Sequence, residues 1–135
     1  MPYELTFSHT FSVSNRDHYI NDCCFAGDLI AERLLPVVQT AEHRDIQTHQ
    51  EDWGWFIWFR CGPLRMSIDI NCQDIDAGAF AIHLGARRPR FLFPDKSIEC
   101  AELDHLRDCV VAALRGWLGV EPHVQLAFAA DLVAR

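Results

Sequence analysis

The sequence predicts a single α+β domain over residues 1–135. The expected architecture is two-layered, with an antiparallel sheet of about four to six strands, a meander at its core, and two helices packed on one face. Several segments alternate apolar and polar side chains, as half-buried strands do. Two others repeat apolar residues every three or four positions, as amphipathic helices do. Their order along the chain is strand, helix, strand meander, helix, which favours segregated helices over a parallel α/β sheet.

The composition is that of one ordinary folded domain. Half of the 135 residues are apolar and 23% are charged, a chain long enough to bury one sizeable core. The formal net charge of -7 has the wrong sign for approaching nucleic-acid phosphate or anionic lipid, so neither nucleic acid nor membrane is expected as a partner. No signal-peptide pattern precedes the six cysteines, which favours a cytoplasmic protein with reduced thiols.

The N-terminal third predicts a strand followed by a helix. Tyr3 to Val13 alternate between apolar and polar side chains, as in a half-buried strand. Asp17 or Asn21 can cap the helix that follows, and Pro36 is expected to end it. Gly27 weakens this helix, which close packing against a neighbour would explain. The apolar stripe of the helix consists of Cys23, Ala26, Ile30 and Leu34.

The middle of the chain predicts two hairpins in series. Val37 to Gln50 is extended but mostly polar, as in an edge strand or an exposed connection. Trp53 to Arg60 is a dense aromatic strand, and Cys61 to Leu64 forms the turn to the next strand, Arg65 to Cys72. A polar turn then leads to the last strand of the meander, Ala79 to Phe93.

The C-terminal part predicts a second helix. Pro94 to Lys96 ends the sheet segment, and Ser97 is the expected N-cap. Gly116 and Gly119 suit the end of the helix, and Val124 to Phe128 is either a last short strand or the start of a short helix. The helix stripe is the strongest periodic signal in the chain and consists of Leu103, Leu106, Val110, Leu114 and Trp117.

The two hairpins predict which side chains share a sheet face. The first is expected to pair Arg60 with Arg65, Trp58 with Ser67 and Phe56 with Asp69, and the second to pair Ile68 with Ile82 and Ile70 with Phe80. Aromatic rings then lie on the face away from the helices, where each would forgo roughly 1.5–3 kcal/mol of burial in water. A second copy, another protein, residues 120–135 or a ligand is expected to cover them. The candidate interface residues are Phe56, Trp58, Ser67, Asp69 and His83.

This face predicts a small non-enzymatic interaction domain. A homodimer or a contact with another protein is expected there, and the acidic charge suggests in particular a neutralising partner of a basic protein, such as a bacterial toxin domain. The alternative is a small-ligand-binding domain or a hydrolase-like enzyme with a pocket on the same face. That pocket would use Trp58, Ser67, Asp69 and His83, with Arg60 or Arg65 at its entrance.

One basic cluster stands out on the acidic chain. Arg87, Arg88 and Arg90 flank Pro89 and suit the binding of a carboxylate or phosphate. The alternative is a set of surface ion pairs that also protects an edge strand. The cysteines contain no C-x-x-C and the histidines no H-E-x-x-H, so neither a metal nor a cofactor is expected.

Overall fold

A computed structural model describes residues 3–126 of the chain. It confirms the α+β class, with two helices and an antiparallel sheet. The helices are α1 Gly27–Val38 and α2 Ala101–Leu118, and a short 3-10 turn, Asp22–Cys24, precedes α1. The strands are β1 Tyr3–Ser8, β2 His43–Glu51, β3 Gly54–Cys61, β4 Leu64–Asp74, β5 Ala79–Arg90, β6 Phe93–Ser97 and β7 His123–Leu126.

The strands form one sheet in the order β2-β3-β4-β5-β1-β7, and β6 pairs with β5 outside this order. Strands β2 to β5 are the expected meander, with β2 as its edge. Within residues 3–126 the sheet has seven strands, more than expected, because Phe93–Ser97 and His123–Leu126 also pair. Neither of the two helices in the described part of the chain is long and apolar enough to cross a membrane.

The core lies between one face of the sheet and the two helices. Inward side chains of the central strands pack there against Ile30 and Leu34 of α1. The stripe expected on α2 supplies the other helix contact, and its first four members are buried while Trp117 is partly buried. The largest fully buried sheet residues are Leu5, Ile57, Ile68, Ile70, Phe80, Ile82 and Leu84.

The first strand is shorter than its alternation suggests. Pairing of β1 stops at Ser8, and the His9 N–H donates to the Gly78 carbonyl, 2.9 Å away. Phe11 packs edge-on against Phe80, with ring centroids 5.3 Å apart. The alternation from Phe11 to Val13 therefore reflects loop residues that cover the core, not strand pairing.

The start and end of the first helix differ from the expected boundaries. Asn21 does cap, but it caps the 3-10 turn, where its side chain accepts from the Cys23 N–H. Pro36 lies inside α1 and does not end it. Its missing N–H leaves only the carbonyl of Glu32 without its helical partner, and both residues are exposed, so water can satisfy that carbonyl. The extra turn buries Val38.

The expected N-cap of α2 is also wrong. Ser97 belongs to β6, where it pairs with Arg87, and the residue at the N-cap position is Cys100. Strand pairing therefore extends to Ser97, four residues beyond the expected end of the sheet segment at Phe93. The C-terminus follows expectation, because Gly119 adopts a left-handed φ of 66° and its N–H donates to the Arg115 carbonyl.

The expected close packing at Gly27 is confirmed. A Cβ atom on Gly27 would lie 2.8 Å from Cγ of Trp55 and nearer still to Cδ1. The Trp55 ring is held in place because its Nε1–H donates to the Cys24 carbonyl at 3.0 Å. The glycine therefore lets α1 approach β3.

The first hairpin register is confirmed, whereas the second is wrong by two residues. Arg60 pairs with Arg65, Trp58 with Ser67 and Phe56 with Asp69. In the next hairpin Ile68 pairs with Leu84 and Ile70 with Ile82. Pairing continues further toward the loop than expected, to Asp74 opposite Ala79, with a bulge after Cys72. A shift of two preserves which side chains face the core, so hydrophobic pattern could not distinguish the two registers.

Two tyrosines link distant segments through aspartates. Tyr3 of β1 donates to Asp104 of α2, and Tyr19 donates to Asp28 of α1, each at 2.6 Å. The hydrogen bond to Asp104, with burial, raises the pKa of Tyr3. Burial and the hydrogen bond to Asp28 raise the pKa of Tyr19.

Alkaline pH is expected to destabilise the fold through these two phenols. A raised pKa means that the folded state keeps a proton that the unfolded chain loses near the ordinary value of 10.0. Their contribution is therefore complete below pH 10 and is lost as pH rises through the folded-state values. Absorbance at alkaline pH should show both tyrosines ionising later in the native protein than in urea. Identical titrations in the two states would contradict this.

Candidate functional site

Arginines form a row across the face of the sheet that points away from the helices, here called the outer face. Arg44 of β2 pairs with Arg60 of β3, Arg60 with Arg65 of β4, and Arg65 with Arg87 of β5. Like charges directly opposite each other destabilise a sheet by roughly 0.2–1 kcal/mol per pair. A row of four on an acidic chain therefore needs compensating negative charge.

The chain supplies only part of that compensation. Asp45 lies 3.4 Å from Arg60, and Asp95 lies 3.1 Å from Arg65. Both ion pairs are substantially exposed, so each contributes little. Within residues 3–126, Arg87 has no carboxylate partner at ion-pair distance.

Three of these four arginines border an open cleft of about 420 Å³ on the outer face. Arg60, Arg65 and Arg87 lie along one side, and the indole of Trp58 forms an apolar wall. Asp45 reaches the cleft because a bulge between Arg44 and Gln47 leaves one extra residue in β2. Its φ of 55° lies in the left-handed region. The remaining lining residues are Gln47, Phe59, Met66, Ser67 and Asp69.

The two outward aromatic residues differ in exposure. Phe56 is only 7% exposed, whereas Trp58 is 41% exposed. Their rings stack with centroids 4.1 Å apart, and Trp53 contacts Phe56 from the loop before β3. Phe56 is therefore covered by tryptophan rings of this chain, a cover that was not among those expected. Trp58 keeps an accessible surface at the cleft.

Hydrogen bonds fix the polar residues beside the cleft. The Trp58 Nε1–H donates to Asp69 Oδ1 at 2.9 Å, which holds the indole plane in one orientation. His83 lies directly opposite Asp69, and its Nε2 is 2.8 Å from Glu4 Oε2 of β1. Glu4 also accepts from Gln125 of β7 at 2.7 Å. The Nε2 atom of His83 is thus engaged by a carboxylate of the neighbouring strand.

The shifted register separates Ser67 from His83, which the expected pairing of Ile68 with Ile82 would have placed opposite each other. Ser67 pairs with Gly85 and not with His83. Trp58, Ser67 and Asp69 line the cleft, while Phe56 lies beneath Trp58. Residues 120–135 were a candidate cover for this face, and the structure describes them as far as residue 126. Their strand, β7, pairs with β1. Residues 127–135 lie outside the described part of the chain.

The three arginines around Pro89 do not form one site, because strand β5 places them in different surroundings. Arg87 lines the cleft. Arg88, on the opposite face of β5, pairs with Lys96 of β6. Arg90 packs over Phe93 near the end of the β5–β6 hairpin. Strand alternation could have separated Arg87 from Arg88, because neighbouring residues in a strand point to opposite faces.

Sequence reasoning missed three acidic residues of this region. Asp45 depends on an unforeseen bulge, Asp95 on an unforeseen strand, and Glu4 on the pairing of β1 with β5. Only Glu4 carried a usable signal, since its place on the polar side of β1 was evident.

The histidines, cysteines and carboxylates within residues 3–126 do not assemble any group of three or more that suits a metal ion. Comparison with protein-family models, with curated proteins and with solved structures gives no match to this chain. The chemistry of the cleft is therefore the basis for inferring function.

Proposed function

We propose that this chain is a binding domain whose outer-face cleft accepts a compact anionic ligand with a flat apolar part. The observation that carries the proposal is the row Arg60, Arg65 and Arg87 beside the half-exposed indole of Trp58. The ligand would bear a carboxylate or a phosphate, which guanidinium groups bind in a bidentate manner.

The dimensions of the row fit such a ligand. Neighbouring strands lie about 4.8 Å apart, so the three arginines span roughly 10 Å. Two adjacent guanidinium groups can therefore share one anionic group while the third contacts a second polar part. Binding would also relieve the repulsion within the row.

The arrangement favours binding over catalysis. Ser67 and His83 lie in different cross-strand rows, and His83 is engaged by Glu4. A nucleophile needs a base within hydrogen-bond reach. Six free thiols suit the reducing cytoplasm, which stays the proposed compartment.

Calorimetric titration with phenyl phosphate, benzoate, inorganic phosphate and phenol tests this proposal. Phenyl phosphate is expected to bind more tightly than inorganic phosphate, and phenol not to bind, because both the charge and the ring contribute. Arg87→Gln should weaken binding roughly tenfold or more, since a hydrogen bond to a charged group contributes about 1.5–3 kcal/mol.

Arg88→Gln is the matched control, because it removes the same charge from the next residue on the opposite side of β5. It should change the affinity less than about twofold, as expected for an exposed charge outside the site. Equal losses in the two variants, or no heat from any of the anions, would contradict an anion site in this cleft.

A second candidate is protein recognition through the same face. The 41% exposure of Trp58 favours it, since tryptophan and arginine are common anchors of interfaces. Self-association through this face predicts that Trp58→Glu lowers the mass measured by light scattering. Recognition of a basic protein, suggested by the net charge of -7, predicts binding that weakens with added salt.

A further inference from the structure

The hairpin formed by β5 and β6 projects beyond the rest of the sheet. Strand β4 pairs with β5 only as far as Arg87, and beyond that residue β6 is the one strand of the described residues that pairs with β5. From Arg87 to Phe91 the chain extends by roughly 13 Å, at about 3.3 Å per residue.

The end of this hairpin consists of three large apolar residues, here called the apolar tip: Phe91, Leu92 and Phe93. They are 87%, 83% and 66% exposed. Leu92 also adopts a φ of 64°, in the left-handed region that a leucine rarely occupies. A contiguous exposed patch of this kind is typical of an interface.

The stem of the hairpin is basic. Arg88 pairs with Lys96 across it, and the Arg90 guanidinium lies 5.5 Å from the centroid of the Phe93 ring. The one carboxylate of the segment, on Asp95, bonds to Arg65 on β4. The partner of the tip should therefore combine an apolar recess with negative charge.

A groove of this kind exists at the same end of the molecule, on the helix side. It has a volume of about 480 Å³ and lies between the end of α1, the start of β2 and the first turns of α2. Val37 and Leu106 supply apolar walls, and Glu42 and Glu102 supply negative charge. We call it the acidic groove.

The charges in the acidic groove act on its own thiol. Burial, together with the negative charges of Glu102 and Glu42, raises the pKa of Cys61. Cys61 pairs with Leu64 where β3 ends and β4 begins. The next residue of β4, Arg65, pairs with Arg87 of β5, from which the hairpin projects. Tip and groove therefore lie at the same end of the sheet, and the exposure of the tip shows that it does not occupy its own groove.

We propose that two copies of this chain form a two-fold symmetric dimer in which the apolar tip of each copy enters the acidic groove of the other. One two-fold axis satisfies both contacts, because tip and groove lie at the same end of each copy. Each contact then needs to bury only about half of the roughly 1,200–2,000 Å² of a stable interface. The basic stem faces the glutamates of the groove.

The dimer is tested by light scattering over a range of concentrations. The wild-type protein should be dimeric, and Phe91→Glu should raise the dimer dissociation constant more than about tenfold by placing a carboxylate in an apolar, acidic recess. Ile20→Glu is the matched control at another exposed apolar residue, 56% exposed, and should leave the dimer unchanged. Glu42→Arg should weaken the dimer from the groove side.

Cross-linking locates the contact. A short bismaleimide should link Leu92→Cys in one copy to Cys109 of the groove in the other, and peptide mass spectrometry should lose that product in Leu92→Cys with Cys109→Ser. Arg87→Gln should leave the dimer intact, so this inference and the anion site can fail separately.

Three results would overturn the dimer. The first is a wild-type protein that is monomeric at all concentrations. If that monomer binds phosphatidylglycerol vesicles through the tip, the tip contacts a lipid surface and not a second copy. A dimer that survives Phe91→Glu is the second, and if Trp58→Glu disrupts it, the outer face holds the copies together. The third is a dimer that Phe91→Glu weakens but Glu42→Arg does not, and in which the cross-link does not form. The tip would then contact the other copy outside the acidic groove.

Discussion

Gly27→Ala is expected to lower the free energy of unfolding by about 1–3 kcal/mol, the usual cost of overpacking. The added methyl would lie 2.8 Å from Cγ of Trp55 and nearer still to Cδ1. These atoms are near the backbone of β3, and the hydrogen bond from the indole to Cys24 resists a rotation of the ring. Urea unfolding measures the loss as a lower midpoint at an unchanged slope.

Gly116→Ala is the matched control, with the opposite sign expected. Gly116 lies in α2, and within residues 3–126 a Cβ there would meet no atom within 4 Å apart from its chain neighbours and the nearby backbone of its own helix. Alanine should therefore add roughly 0.5–1 kcal/mol through helix propensity alone. If both substitutions stabilise the protein, Trp55 does not limit the approach of α1 to the sheet.

Leu114→Ala is expected to lower the free energy of unfolding by about 2–5 kcal/mol, as truncation of a fully buried leucine does. The side chain is fully buried, with no accessible surface, and belongs to the stripe between α2 and the sheet. Its removal leaves a cavity that Val110, one turn earlier in the stripe, cannot fill without moving the helix. A fall in the urea midpoint measures the effect.

Leu118→Ala tests whether burial is the cause. It removes the same atoms one turn later, where the residue is only partly buried at the end of the helix. Its cost should be clearly smaller than that of Leu114→Ala. Equal costs would mean that the end of α2 is as tightly packed as its middle.

The fold class was predictable because it follows from local periodicity. Leu103, Leu106, Val110 and Leu114 are spaced for one helix face, and all four are buried. The aromatic strand and its turn likewise set the pairing of β3 with β4. Boundaries were less predictable, since Pro36 and Ser97 have strong local preferences that burial of Val38 and pairing with Arg87 override.

The candidate site was only partly predictable. Phe56 and Trp58 do point away from the helices, as alternation requires, but the stacking that buries only Phe56 depends on ring orientation. Gly85, and not His83, lies opposite Ser67 because the register of β4 with β5 is shifted by two residues. Such a shift leaves the apolar face intact, so no hydrophobic pattern opposes it.

The sequence by itself determined the two-layer α+β fold, the aromatic outer face and the buried stripe of α2, because short-range periodicity specifies which side of each element is apolar. Only the tertiary structure decided that Arg87 joins Arg60 and Arg65 beside Trp58. It also decided that Phe91 to Phe93 project from the sheet. Both features depend on strand register and on where pairing stops, which arise from contacts between residues far apart in the chain.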